Sequence, residues 1–166
     1  MNLSQIIFLV VGAVTIISAV LVVTLRNLVH SALWLIVTLF SVAVLFVLLE
    51  AGFMAVVQVV LYIGAIAILI IFAMMLTRRA MSDEASQTNG QWPASLLIAA
   101  AAFVSLAGLL NANAWPALPA ADVSGTVRQL GLALVNLNAF VLPFEVASVL
   151  LIVALVGAIY VASEKR

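Results

Sequence analysis

Long apolar runs, of which only the last contains a charged residue, make up most of this chain and restrict what it can fold into. There are five such runs: Leu3–Leu25, Ala32–Leu49, Phe53–Leu76, Pro93–Leu110 and Leu142–Ala162. Each is close to the roughly 17–25 apolar residues that a transmembrane helix needs. Hydrophobic residues make up 67% of the 166 positions and charged residues only 7%, against about 25% charged in an ordinary soluble domain. We therefore predict an all-α integral membrane protein with five transmembrane helices, folded as a single transmembrane domain over residues 1–166.

The residue types that are missing exclude several kinds of site. The chain contains no cysteine, so it cannot build an iron–sulfur cluster or a cysteine zinc site. Its one histidine, His30, cannot form a two-histidine metal site. Net charge is zero and no basic patch is present, which argues against a nucleic-acid partner. We predict that this chain by itself binds no cofactor and no metal and holds no catalytic centre.

The basic residues predict which way the helices cross the membrane. Cytoplasmic ends of transmembrane helices carry an excess of lysine and arginine. If the N-terminus lies outside, five of the six basic residues face the cytoplasm: Arg26, Arg78, Arg79, Lys165 and Arg166. Only Arg128 then lies outside. The predicted orientation is therefore an external N-terminus and a cytoplasmic C-terminus.

Two connections between the runs carry local signals. Ala51-Gly52 allows only a tight reversal, which makes the second and third helices antiparallel neighbours. Thr126-Val-Arg-Gln129, in the long connection before the last run, has the spacing of a capping box. Apolar residues at Val127, Leu130 and Leu134 follow at helical spacing. We predict a short amphipathic helix there, lying on the outer face.

The third run has a polar centre where hydrocarbon is expected. Gln58 and Tyr62 lie four residues apart, hence on one helix face, and Gly64 lies near the midpoint of the run. In one interpretation the two polar side chains hydrogen-bond to neighbouring helices and the glycine allows a close helix contact. In the other, the glycine favours a π-bulge, an irregularity that recurs at functional sites. We keep these three residues as candidates for gating or coupling.

Glu145 is the acidic residue inside the last run, two positions after Pro143. If Pro143 is the first helical residue, Glu145 is the third, where the helix dipole and free backbone N–H groups favour a carboxylate. The alternative is a functional acid, because an ionisable group in a transmembrane segment is a candidate site. The sequence leaves both interpretations open.

Three blocks of sequence resemble one family. These are Gln58-Val-Val-Leu-Tyr-Ile-Gly-Ala-Ile66, Arg26-Asn-Leu-Val-His-Ser-Ala32 and Leu142-Pro-Phe-Glu-Val-Ala-Ser-Val-Leu-Leu151. They are similar, in order and over essentially the whole chain, to subunit J of proton-pumping NADH:quinone oxidoreductase, respiratory complex I. One departure is Leu28, where the family often has proline, and it affects only the local turn after the first helix.

The resemblance implies a place in the membrane arm of that complex, without a redox cofactor bound by this chain. Its partners would be the quinone-site subunit, the small subunits A and K, the antiporter-like subunits and the lipid bilayer. The whole complex would use FMN, iron–sulfur clusters, NADH and quinone. In the family the third helix carries a π-bulge near the positions of Tyr62 and Gly64, and its conversion is implicated in coupling quinone reduction to proton translocation. The implied location is the inner (plasma) membrane of a bacterium.

Other functions are also considered. Within the family's wider relations, the alternative is the equivalent subunit of a ferredoxin- or hydrogenase-linked complex or of a multisubunit cation/proton antiporter. A stand-alone transporter should show paired broken helices and several intramembrane charges, and this sequence shows neither. Co-purification distinguishes these classes, because a complex I subunit should bring flavin and iron–sulfur proteins with it.

Overall fold

The computed structural model describes residues 2–77, 90–113 and 125–163, and every regular element in these ranges is helical. The helices are α1 Leu3–Thr24, α2 Leu28–Leu48, α3 Gly52–Thr77, α4 Trp92–Ala112, α5 Thr126–Val135 and α6 Val141–Ser163. All except α5 are long and apolar enough to cross a membrane. The prediction of an all-α protein with five such helices is confirmed for this part of the chain. Orientation stays a prediction, and four of the five basic residues that predict a cytoplasmic end, namely Arg78, Arg79, Lys165 and Arg166, lie outside the described residues.

The helices group into two compact units. The first, Met1–Leu118, contains α1 to α4, and the second, Pro119–Arg166, contains α5 and α6. In the first unit α2 packs against both α1 and α3, whereas no residue of α4 is buried. In the second unit α5 contacts α6. The expectation of a single transmembrane domain stays a prediction.

Small side chains form the contacts inside the first unit. Among the described residues of this unit, the buried apolar ones are all alanines, namely Ala32, Ala43, Ala55 and Ala67, and the buried polar ones are Ser18, Ser31, Ser41 and Gln58. Small residues let helix backbones approach closely, which is how helices associate where the hydrophobic effect between them is absent. Larger apolar side chains point away from these contacts: Leu69, for example, is 67% exposed. Such faces suit lipid or the helices of other chains.

Side-chain hydrogen bonds close the turn between α1 and α2. The hydroxyl of Ser31 donates to the carbonyl of Val22, one of the last carbonyls of α1, which have no partner within their own helix. The side chain of Asn27 accepts from the backbone N–H of Val29, 3.1 Å away, and so caps the start of α2. A free carbonyl of α1 and a free N–H of α2 therefore both find partners at this turn, without a long loop.

The turn between α2 and α3 confirms the predicted tight reversal and contains an unusual backbone angle. Glu50 has a φ of 60°, in the left-handed region. The N–H of Ala51 donates to the carbonyl of Phe46 at 2.9 Å, and that of Glu50 to Val47 at 3.0 Å. This pair of bonds is the Schellman motif, in which the left-handed position is usually a glycine. Here a glutamate occupies it, and the chain enters α3 two residues later.

The predicted short helix before the last span is present as α5, but its predicted capping box is wrong. Thr126 is the first helical residue, and the N-cap is Gly125, with a left-handed φ of 81° and no side chain to cap the helix. Left-handed φ is accessible to glycine at little cost, which explains why the helix begins one residue earlier than the spacing predicts. Pro116 and Pro119 of the preceding connection lie outside the described residues.

Candidate functional site

The centre of α3 is wound differently from its two ends. Residues Gln58–Ala67 form a π-helical segment, flanked by α-helical residues Gly52–Val57 and Ile68–Thr77. A π-helix pairs each N–H with the carbonyl five residues earlier and so carries more residues in each turn than an α-helix. This segment, which we call the π segment, contains three of the four residues singled out in the sequence.

Gly64 lies inside the π segment, where a Cβ atom would be in ordinary contact with the helix's own backbone. A Cβ atom built at this position would be 3.4 Å from the carbonyl oxygen of Val59, which is five residues earlier. By contrast, a Cβ at Gly12 in α1 would meet nothing within 4 Å. A single added carbon therefore fits at either glycine, and what distinguishes Gly64 is its place in the π segment.

Gln58 begins the π segment and faces α2. Only 7% of the residue is exposed, and its Nε2 donates to the carbonyl oxygen of Leu39 at 3.5 Å. The amide thus reaches the main chain of the neighbouring helix. Tyr62, four residues later, is 46% exposed within this unit. The two polar side chains therefore lie in different surroundings, one between two helices and the other on an open face.

An apolar groove runs beside the π segment. It has a volume of about 320 Å³ and lies between α2, from Phe40 to Val47, and α3, from Ala55 to Val60. Ala43 and Ala55 line it and are themselves buried, at 4% and 6% exposure. Their small size lets α2 and α3 come close at this level.

Glu145 lies in the second unit, and its predicted capping position is wrong. The helix α6 begins at Val141, and the N–H of Phe144 already donates to the carbonyl of Phe140 at 3.1 Å. Glu145 is therefore the fifth helical residue, beyond the first turn where backbone N–H groups are free. Pro143 is the third, a position whose N–H would have no partner within the helix, so proline is tolerated there. The carboxylate is exposed within this unit.

Sequence reasoning did not single out the residues that join α1 to α2. Thr38 and Ser18 lie opposite each other on these helices, and their hydroxyl oxygens are 2.9 Å apart. A hydroxyl inside an apolar run is itself a signal, because it needs a partner in a medium without water. The sequence shows that signal, but which helix supplies the partner depends on tertiary packing.

The chemistry available in these sites is limited. In residues 2–77, 90–113 and 125–163, no three histidine, aspartate or glutamate side chains lie together as a metal site would require. The unusual feature of α3 is its winding, and a π segment can convert to an α-helix by shifting one residue of register. What the site offers is an unusual winding, a contact with a neighbouring helix and an exposed phenol.

Comparison with known proteins places similar sequences in one group. A family model described as NADH-ubiquinone/plastoquinone oxidoreductase chain 6 matches residues 18–161. The chain is 36% identical over 159 residues to NAD(P)H-quinone oxidoreductase chain 6 of Leptolyngbya boryana, covering 95% of this chain and 79% of that one. It is 38% identical over 161 residues to F(420)H(2) dehydrogenase subunit J of Methanosarcina mazei, covering 94% and 89%. It is 33% identical over 174 residues to the chloroplastic NAD(P)H-quinone oxidoreductase subunit 6 of Marchantia polymorpha, covering 96% and 88%.

Proposed function

The chain belongs to the NADH-ubiquinone/plastoquinone oxidoreductase chain 6 family, and from this membership we propose that it couples quinone reduction to proton translocation through the π segment of α3. In this role it is a membrane-arm subunit of the complex and has no catalytic centre of its own. Its contribution is conformational: the winding of one helix opens or closes a path that other subunits use.

The observation that carries this proposal is the π segment itself. Ten residues, Gln58–Ala67, are wound in the π form at the middle of a membrane-length helix. Long π segments are rare, and π-bulges are frequent at functional sites. Gly64 supports the proposal, because the permissive backbone of glycine lowers the cost of departing from regular α-helical winding.

The remaining parts of the proposal follow from the assembly in which such a subunit works. Its neighbours are the quinone-site subunit, the small subunits A and K, the antiporter-like subunits and lipid. FMN, iron–sulfur clusters, NADH and quinone are bound by those other subunits. The chain lies in the inner (plasma) membrane of a bacterium, with its N-terminus outside and its C-terminus in the cytoplasm. Three positions of α3, Gln58, Tyr62 and Gly64, serve gating or coupling, and Glu145 is the fourth candidate, whose role the Glu145→Gln variant tests.

A second candidate differs only in the source of electrons. One relative, 38% identical, is named as a subunit of an F(420)H(2) dehydrogenase rather than of an NAD(P)H enzyme. This favours a role for the chain in the membrane part that such complexes share, whichever electron donor they use. Purification of the native complex decides between the two: oxidation of NADH supports the first, and oxidation of reduced F420 without NADH oxidation supports the second.

The experiment that tests the gate replaces Gly64 in the native complex. Gly64→Val replaces the permissive glycine by a β-branched residue, whose χ1 is restricted in a helix and whose Cβ would contact the Val59 carbonyl oxygen at 3.4 Å. We expect the complex to assemble, while quinone reduction and proton pumping per assembled complex both fall. Gly64→Ala adds one carbon only and should show a smaller loss. Tyr62→Phe removes only the hydroxyl and should also do less than Gly64→Val.

The matched control is Gly12→Val, since a Cβ at Gly12 meets nothing within 4 Å. It makes the same change of residue type in a regular α-helix. Assembled complex is quantified on native gels and compared with turnover per complex. Normal turnover in a reduced amount of Gly64→Val complex would show that this glycine serves only packing, and the gating proposal would fall.

A further inference from the structure

Both end residues of the π segment, Gln58 and Ala67, are buried, but the helical stretches on either side of it differ. Before it, Gly52–Val57 follows directly from the turn whose N–H groups at Glu50 and Ala51 bond back to α2. In that stretch Ala55 is buried at 6% exposure. After it, no residue of Ile68–Thr77 is buried. The stretch before the π segment is thus fixed to α2 by covalent, hydrogen-bond and packing constraints, whereas the stretch after it also packs on α2 but has no buried residue.

Gln58 lies at the boundary between the fixed part and the π segment. Its backbone N–H is shared between the carbonyls of Ala55 and Met54, so its main chain still belongs to the α-helical stretch before it. Its side chain reaches Leu39 on α2, with Nε2 3.5 Å from the carbonyl oxygen. A buried amide in an apolar region keeps such a bond, since losing it would leave a polar group unpaired in hydrocarbon.

The α2 helix provides a firm support for this contact, because it is itself joined to α1. Ser31 closes the end of α1 through Val22, and Thr38 lies 2.9 Å from the buried hydroxyl of Ser18. Leu39, whose carbonyl accepts from Gln58, is the residue directly after Thr38. The acceptor therefore belongs to a helix, α2, that is also held in place by its contacts with α1.

We propose that Gln58 is a positioning residue that holds the N-terminal end of the π segment on α2. A shift of one residue in helical register turns the chain beyond it by about 100°. Because Gln58 holds the N-terminal end on α2, the rotation takes place in Ile68–Thr77 and leaves Gly52–Val57 where it is. This inference rests on the proposed function only in taking the winding of the segment to change during turnover.

The test removes the hydrogen bond from Gln58 to α2, which we call the tether, and then replaces it by a covalent link in the assembled complex. Gln58→Met keeps an unbranched side chain of similar length but removes the donor. The replacement tether is a pair of cysteines, Ala43→Cys with Ala55→Cys, at two buried positions that line the same α2–α3 groove. The natural chain contains no cysteine, so a cross-link within it identifies this pair. Copper phenanthroline or a short bifunctional methanethiosulfonate closes the link, and a reductant opens it.

We expect Gln58→Met to leave the amount of assembled complex unchanged and to lower turnover per complex about threefold, the size of effect that one interhelical hydrogen bond in a membrane provides. Closing the cross-link in a chain that retains Gln58 should leave turnover unchanged, because the fixed part does not move. Closing it in the Gln58→Met background should restore turnover, and reduction should abolish the rescue. A role in folding alone would change the yield of complex and would not give this reversible rescue.

The proposal is overturned if Gln58→Met complexes turn over normally, if the cross-link alone blocks turnover, or if the cross-link does not rescue the Gln58→Met variant. These outcomes are separate from failure of the gate. If turnover falls in Gly64→Val but is normal in Gln58→Met, the gating proposal stands and the proposed role of Gln58 is wrong. If turnover is normal in both variants, the gating proposal is wrong as well.

Discussion

Ser18 on α1 and Thr38 on α2 join the two helices through their hydroxyl groups, whose oxygens lie 2.9 Å apart. Ser18 is fully buried and also donates to the carbonyl of Thr15 at 3.0 Å, so it accepts from Thr38. Thr38 lies equally near a second acceptor, the carbonyl of Trp34 at 3.0 Å. The distance is that of a good hydrogen bond. Its loss is partly compensated, because Thr38 can donate to the Trp34 carbonyl when Ser18 is changed.

Two substitutions at Ser18 should have very different consequences. Ser18→Ala removes one interhelical bond and should destabilise the chain by only about 0.6 kcal/mol, the average for such bonds in a membrane. Ser18→Leu adds volume where the residue has no exposed surface and should cost about 1–3 kcal/mol. The readout is the urea concentration that releases the chain from the purified complex.

Ser105→Ala is the matched control for Ser18→Ala. Ser105 makes the same kind of local bond, to the carbonyl of Ala102 at 2.9 Å, but it is exposed on α4. It should have less effect than Ser18→Ala. Equal effects of the two alanine variants would show that the contact to Thr38 adds nothing.

Replacing Glu50 by glycine should stabilise the turn between α2 and α3. Glu50 has a φ of 60°, a conformation that costs an L-residue about 1–2 kcal/mol and a glycine little. Its negative charge also lies at the C-terminal end of α2, where the helix dipole disfavours it. After the entropy that glycine loses on folding, Glu50→Gly should gain about 0.5–1 kcal/mol.

Glu50→Ala separates the two causes, since it removes the charge but keeps the Cβ and the strained angle. Thermal release of the chain from the complex provides the measurement. If Glu50→Ala stabilises as much as Glu50→Gly, the charge and not the backbone angle is responsible. If neither variant stabilises, the side chain makes a compensating contact in the assembled complex.

Glu145→Gln should leave the complex assembled, with electron transfer at least half intact. Glu145 is the fifth residue of α6, so its charge does not satisfy the free N–H groups of the first turn. Glutamine keeps the length and polarity of the side chain. Quinone reduction and proton pumping are measured per assembled complex. A collapse of either in fully assembled complex would identify the carboxylate as a functional acid.

Single cysteines test the predicted orientation of the helices. The natural chain has no cysteine, so each introduced thiol is unique within it. Ser86→Cys should react with impermeant thiol reagents only from the cytoplasmic side, and Ser124→Cys only from outside. The expectation comes from the five-to-one distribution of lysine and arginine. The opposite pattern of labelling would reverse the assignment.

The apolar runs in the sequence were sufficient to predict the helices, but local sequence signals were insufficient to predict the residues at which some of them begin. The five spans begin and end within about four residues of the apolar runs, because bilayer thickness sets the length of an apolar helix. The beginnings of α5 and α6 depend on backbone conformation that composition does not reveal. At Gly125 a left-handed residue takes the N-cap position from Thr126, and at Val141 the helix starts before Pro143.

The sequence by itself determined that this is an all-helical membrane protein, that it belongs to one family, and that the middle of α3 differs from the rest. These follow from composition, length and the order of short blocks, which are properties of the chain alone. Only the tertiary structure decided which groups meet. It placed the amide of Gln58 on the carbonyl of Leu39 and left Tyr62 on an open face. The physical reason is that an apolar helix has no strongly preferred face in lipid, so small residues and hydrogen bonds to neighbouring helices select its contacts.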